Sequence, residues 1–200
     1  VGLDDRVRAT PGRGGRGRAR RPANGITIRA GTRADVSVIV SLIRRLGEYE
    51  RLTHEVKTTP ARIREHGFGR RRYFETLIAE RDGTAVGFAL YFFAYSTFLA
   101  RPTCYLEDLF VIPEARGAGA GQALLAALAR IAIDAGCGRL EWAVLDWNEP
   151  AIRFYERLGA RLRKDWVLTR LDGAALVRLA RRASRSGTRP ARVDPRRDRV

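Results

Sequence analysis

The chain has 200 residues, 45% hydrophobic and 30% charged, with a formal net charge of +16. That length supports one domain with a substantial core, and no apolar run approaches the ~18 residues of a membrane span. Two cysteines (Cys104, Cys137) and two histidines (His54, His66) lack metal-ligand spacing, so we expect reduced thiols and no metal centre.

Much of the charge lies at the ends. Residues 1–24 carry seven arginines and two aspartates, and residues 181–200 carry eight arginines and two aspartates. Both ends are rich in Arg, Gly and Pro and poor in large apolar groups, the composition of disordered tails. Such tails can touch nucleic acid nonspecifically, which leaves a nucleic-acid-associated binding module as a competing class. Against it, arginine predominates throughout, with Lys57 and Lys164 the only lysines. The first residues hold no apolar stretch of signal-peptide type, so a cytoplasmic protein is expected. The folded domain is expected over 25–180.

In chain order, ITIRA (26–30) alternates and reads as a strand. Thr32 and Asp35 form a capping-box-like start for a helix that places Val36, Ile39, Val40, Ile43 and Leu46 on one face. Thr59-Pro60 opens a second, short helix ending near Gly67. TLIAE and AVGFALYFFAY, joined across Asp82-Gly83, read as a hairpin. CYLEDLFVI is a largely apolar strand stopped by Pro113. A helix from about Gly119 to Asp134 buries Leu124, Leu125, Leu128, Ile131 and Ala132, and Gly136 ends it. RLEWAVLDW reads as another strand, and PAIRFYERLGA as a short helix from Pro150 to Gly159. DWVLTRLDGAALVRLARR reads as a strand and a terminal helix. Antiparallel hairpin material followed by a strand–helix–strand–helix unit predicts a mixed α/β sheet with helices on both faces.

The most informative segment is the turn after CYLEDLFVI, where Arg116, Gly117, Gly119 and Gly121 sit between strand and helix. A helix start offers free N–H groups and a positive dipole end, and glycines let a phosphate approach them. A Walker loop would need a lysine, and none lies here. A dinucleotide fingerprint would need glycine where Gln122 stands. What remains is Arg-x-x-Gly-x-Gly.

That spacing, with YLEDLFV, LDWNEPAIRFYERLGA, GFGRRRYFETLIAE and VGFALYFF in the same order, resembles the GNAT acetyltransferase superfamily, in particular its spermidine/spermine and thialysine N-acetyltransferase branch. The resemblance spans about 26–180. It implies a mostly antiparallel mixed sheet whose glycine-rich strand-to-helix loop holds acetyl-coenzyme A as cosubstrate. Main-chain groups of Leu109, Phe110 and Val111 would contact the pantetheine arm. Arg116, Gly117, Ala118, Gly119, Ala120, Gly121 and Gln122 would hold the pyrophosphate. Asn148, Glu149, Pro150 and Ala151 would flank the arm from the other side; equally, Asn148-Glu149-Pro150 is a good helix start. Tyr155 matches the tyrosine that protonates the departing thiolate, and its phenol is protonated at neutral pH. Glu107 matches the carboxylate that takes the amine's proton through water. Tyr49, Glu50, Asp108, Glu141, Trp142 and Ala143 lie where the acceptor is approached, and Asp108 could equally be structural. Glu141 replaces a histidine of the polyamine enzymes, and Phe98 lies where a tryptophan is expected. The resemblance also implies a homodimer and a small cationic amine as acceptor, with protein lysines and aminoglycosides as alternatives.

Overall fold

Five strands form one open sheet in sequential order in the computed structural model, which describes residues 25–185. β1 (Ile26–Ala30), β2 (Glu75–Arg81), β3 (Thr84–Ser96) and β4 (Arg101–Val111) pair antiparallel, and β5 (Arg139–Trp142) adds parallel to β4. The β2–β3 turn is the expected one. Asp82 and Gly83 both have positive φ, +52° and +77°, which matches the twist of the flanking strands.

Strict alternation sorts the sheet's side chains onto two layers. Leu77, Ala79 and Ala89 face α3 (Ala120–Asp134), where Leu124, Leu125, Leu128 and Ala132 are buried. Ile78, Phe88, Leu90 and Phe110 face α1 (Val36–Tyr49), packing with Val36, Ile39, Val40 and Leu42 and with Ile63 of α2 (Pro60–Phe68). The sequence pattern put Ile43 and Leu46 on the α1 core face; both are half-buried, and Leu42 is the more enclosed residue. A short 3-10 turn, Arg33–Asp35, precedes α1, and there Asp35 accepts from the Thr32 amide and hydroxyl at 2.7 Å. The Arg29 guanidinium clamps both Asp35 oxygens at 2.7 and 2.8 Å and reaches Glu80 at 2.8 Å, tying β1, β2 and the helix entrance together. The hydrogen bonds from Arg29 hold the Asp35 carboxyl far below its ordinary range.

Three expectations are corrected. The strand expected over 139–147 stops at Trp142. The strand expected within 165–171 is absent: that stretch joins no sheet, and Trp166, Val167 and Leu168 are largely exposed. The terminal helix α5 (Gly173–Arg185) runs past the expected boundary at residue 180. The expected tail at 1–24, and residues 186–200 of the one expected at 181–200, lie outside the described residues.

Gly87 sets how closely β3 approaches β4. A Cβ there would stand 2.6 Å from the Phe110 carbonyl oxygen and 3.1 Å from the Val111 Cγ2 methyl. Gly87→Ala should therefore lower stability by about 1–3 kcal/mol, read in urea as a lower midpoint at unchanged slope.

Candidate active site

The site begins where β4 loses one neighbour. β3 stays paired to β4 as far as Gly87↔Val111, whereas the parallel β5 ladder ends at Leu106↔Trp142. Beyond that point, one edge of 107–111 faces a gap. A strand edge of this kind is a template for any extended chain carrying amide groups. The β3–β4 ladder is also irregular here. Leu90 pairs with Asp108 and Tyr91 with Leu106, which leaves Glu107 as an extra residue in β4. Such a bulge re-aims neighbouring side chains. Leu106 and Leu109 consequently belong to the α3 layer and Phe110 to the α1 layer, a pattern that alternation alone does not give.

The gap runs into the glycine loop. After a 3-10 turn, Pro113–Ala115, Gly117 and Gly119 take φ of +79° and +89°, conformations that L side chains rarely adopt. Gly119 is the N-cap of α3, and no side chain caps that helix. The first-turn N–H groups are thereby presented to the loop, the arrangement that suits a phosphate. At Gly121 a Cβ would meet the Phe154 ring of α4 (Glu149–Arg157) at 3.5 Å, an ordinary van der Waals contact, so space alone does not require glycine there. Arg116 turns back across the loop and donates from Nε to the Val111 carbonyl at 3.0 Å.

Across the gap, Asn148 is buried and caps α4, accepting from the Ala151 amide at 3.4 Å. Pro150 occupies the first turn, and Glu149 pairs with Arg153 at 2.6 Å. The capping reading of Asn148-Glu149-Pro150 is thus realised, and the Asn148 amide nitrogen is not the atom that does the capping. Tyr155, on the inner face of α4, packs against Trp142 at 5.0 Å and Phe154 at 5.3 Å between ring centroids. Burial, then the nearby Glu50 and Tyr49, pushes its hydroxyl up to about 12.

The candidate carboxyls separate by environment. Glu107 is exposed at the bulge. Asp108 is enclosed, and burial, then Glu107 and Glu50, pushes it up to about 7. Glu50 is also raised, by burial. Glu50 therefore acts electrostatically on both Asp108 and Tyr155. Glu141 is differently placed, with its carboxylate 2.8 Å from Arg139. Ala143 is exposed just beyond β5, and Phe98 is 94% exposed. Among the described residues no cluster of His, Cys, Asp or Glu could hold a metal ion, and no helix is long and apolar enough to cross a membrane.

A strand edge that leads to a phosphate-ready helix start, with a buried phenol and raised carboxyls close by, suits an enzyme that moves an acyl group from a phosphorylated carrier. Residues 40–160 match the acetyltransferase (GNAT) family, and the chain belongs to that family. GNAT enzymes use acetyl-CoA as donor. The chain is 37% identical over 166 residues to thialysine N-epsilon-acetyltransferase of Mus musculus, covering 78% of this chain and 97% of that protein. It is 31% identical over 163 residues to spermidine/spermine N(1)-acetyltransferase-like protein 1 of Homo sapiens, covering 76% of this chain and 23% of that protein. Among solved structures, the integron cassette protein VCH_CASS6 from the mobile metagenome of V. cholerae superposes with TM-score 0.67 at 28% identity, covering 78% of this chain and 98% of that one.

Asp108 links the site to stability. A carboxyl raised in the folded state favours folding only while it is protonated, so its contribution falls as pH rises from about 4 to about 7 and is flat above. Asp108→Asn should leave stability near pH 4 almost unchanged and raise it at pH 8 by on the order of 1–3 kcal/mol, measured by urea denaturation at both pH values.

Proposed function

We propose that the chain transfers the acetyl group of acetyl-CoA to a primary amine of a small polyamine, diamine or lysine-like acceptor, with both substrates bound and direct attack on the thioester. The observation that carries this reading is the edge of β4 left without a strand partner beyond Leu106, which runs into the glycine loop at the start of α3, with Glu50 acting electrostatically on Asp108 of that strand and on the buried Tyr155. The edge at 109–111 would take the amide groups of the pantetheine arm, and Asn148 would meet the arm from the α4 side. The N–H groups of 117–122 would hold the pyrophosphate, an assignment supported by the left-handed Gly117 and Gly119 and by the uncapped start of α3.

At the far end of that slot the chemistry needs two proton movements. An alkylammonium has pKa about 10.4 and no lone pair, so it must lose a proton before attack. Glu50 and Asp108 hold the cation, and Glu107, open to solvent at the bulge, takes its proton through water. Tyr155 gives its hydroxyl proton to the sulfur as the C–S bond breaks, and its phenolate recovers the second proton from the nitrogen that has attacked, so the two protons lost by the amine end on Glu107 and on sulfur. A phenol held above its ordinary value stays protonated throughout the neutral range, which suits a donor. A covalent acyl-enzyme is disfavoured by the cysteines. Burial pushes Cys104 up to about 12 and raises Cys137 as well, so neither supplies a thiolate at neutral pH. A small amine is also the acceptor in the names of the relatives, thialysine in one and spermidine or spermine in the other.

The test is thiol release with spermidine, putrescine, lysine, thialysine and a peptide lysine. One or more free amines should outrun the peptide, and a preference for the peptide would replace this reading with protein acetylation. On the best acceptor, Tyr155→Phe should lower kcat about 100-fold while the acetyl-CoA KM stays within about threefold. Unchanged turnover would remove Tyr155 from the chemistry.

A further inference from the structure

Tyr49 closes α1, and its side chain meets three parts of the site at once. Its hydroxyl donates to Asn148 Oδ1 at 3.1 Å, and the same oxygen accepts the Ala151 amide that starts α4. Its ring lies beneath the Arg116 guanidinium, whose central carbon is 4.5 Å from the ring centroid. That guanidinium also sits 5.8 Å from the Phe110 ring and is held by its bond to the Val111 carbonyl. The Trp147 ring flanks Tyr49 at 6.4 Å.

We propose that Tyr49 is a positioning residue that fixes the start of α4 against the glycine loop and so sets where the Tyr155 hydroxyl stands. The inference rests on the proton-donor role proposed for Tyr155. Two other roles for Tyr49 fit the geometry less well. A residue present only to fill space would need a ring and no hydroxyl acceptor. A residue that contacts the amine would offer its hydroxyl to the cleft, whereas this hydroxyl is engaged by Asn148. Asn148 is buried and its side-chain oxygen serves two donors, so loss of the phenol leaves that oxygen with the longer Ala151 bond alone. Tyr155 lies six residues into α4, about 9 Å along its axis. A small tilt at the helix start therefore moves the hydroxyl at the other end, and proton transfer is steep in such displacements. Arg116 supplies the second fixed point. It belongs to the loop assigned to the pyrophosphate, so the donor site and the acid share one support.

The experiment is a double-mutant cycle on the full chain with Tyr49→Phe, Tyr155→Phe and the double variant. Tyr49→Phe keeps the ring beneath Arg116 and removes only the hydroxyl. It should lower kcat about 5- to 30-fold, with both KM values within about twofold of the wild type. The same substitution in the Tyr155→Phe background should change kcat by less than about twofold, because the group it positions is already gone. An equal loss in both backgrounds would overturn the proposal. So would a raised amine KM at unchanged kcat, the mark of a direct acceptor contact. A Tyr155→Phe enzyme with wild-type turnover would remove the proton-donor reading and this inference together, whereas an impaired Tyr155→Phe with additive losses would remove this inference alone.

Discussion

The molecule turns on one asymmetry in hydrogen bonding. β4 has a partner on each side as far as Leu106 and on one side only from Glu107 onward. Enclosed peptide groups without partners are costly, and from Glu107 to Val111 β4 keeps one edge with no strand beside it. Everything assigned to catalysis borders it. The glycine loop continues the strand, and the end of α1 reaches both Arg116 before that loop and Asn148 at the start of α4 through Tyr49. Had β5 stayed paired over its expected length to Trp147, the edge would have been occupied and no extended ligand could lie along it.

The same opening explains the electrostatics. Asp108 and Tyr155 are enclosed enough for burial to dominate both shifts, and Glu50 acts on each in the same direction. Glu50 is thus held within electrostatic reach of the other two. Packing on both layers of the sheet maintains that arrangement, through Leu124 and Leu128 on one side and Ile39 and Phe88 on the other. Stability is given up locally at Asp108, whose carboxyl is pushed up to about 7, a common cost of functional sites.

Much of this was legible in the chain. Asp82-Gly83, Thr59-Pro60 and the glycine series 117–121 announce themselves by local rules, since each demands a backbone conformation or a cap that few residues supply. The hairpin of TLIAE and AVGFALYFFAY, with the strand–helix–strand–helix unit after it, announced a mixed sheet with helices on both faces. The site was less accessible because its critical features are not local. The early end of β5 depends on where the chain diverges in space, and nothing in RLEWAVLDW marks Trp142 as the last paired residue. The bulge at Glu107 shifts the expected alternation across Glu107-Asp108, and no glycine signals it. Arg116 was legible as part of the loop, but its stacking on Tyr49 joins residues 67 positions apart. The stretch at 165–171 has strand-like composition and joins no sheet, so propensity alone misled there.

Amide hydrogen exchange with and without coenzyme A tests most directly whether the unpaired edge of β4 and the start of α3 form one continuous donor cradle. Saturating coenzyme A should slow exchange at 109–111 and at 117–122 together, while the β1–β2 amides stay unchanged. Binding without protection in those two segments would contradict the cradle and place the donor elsewhere on the fold.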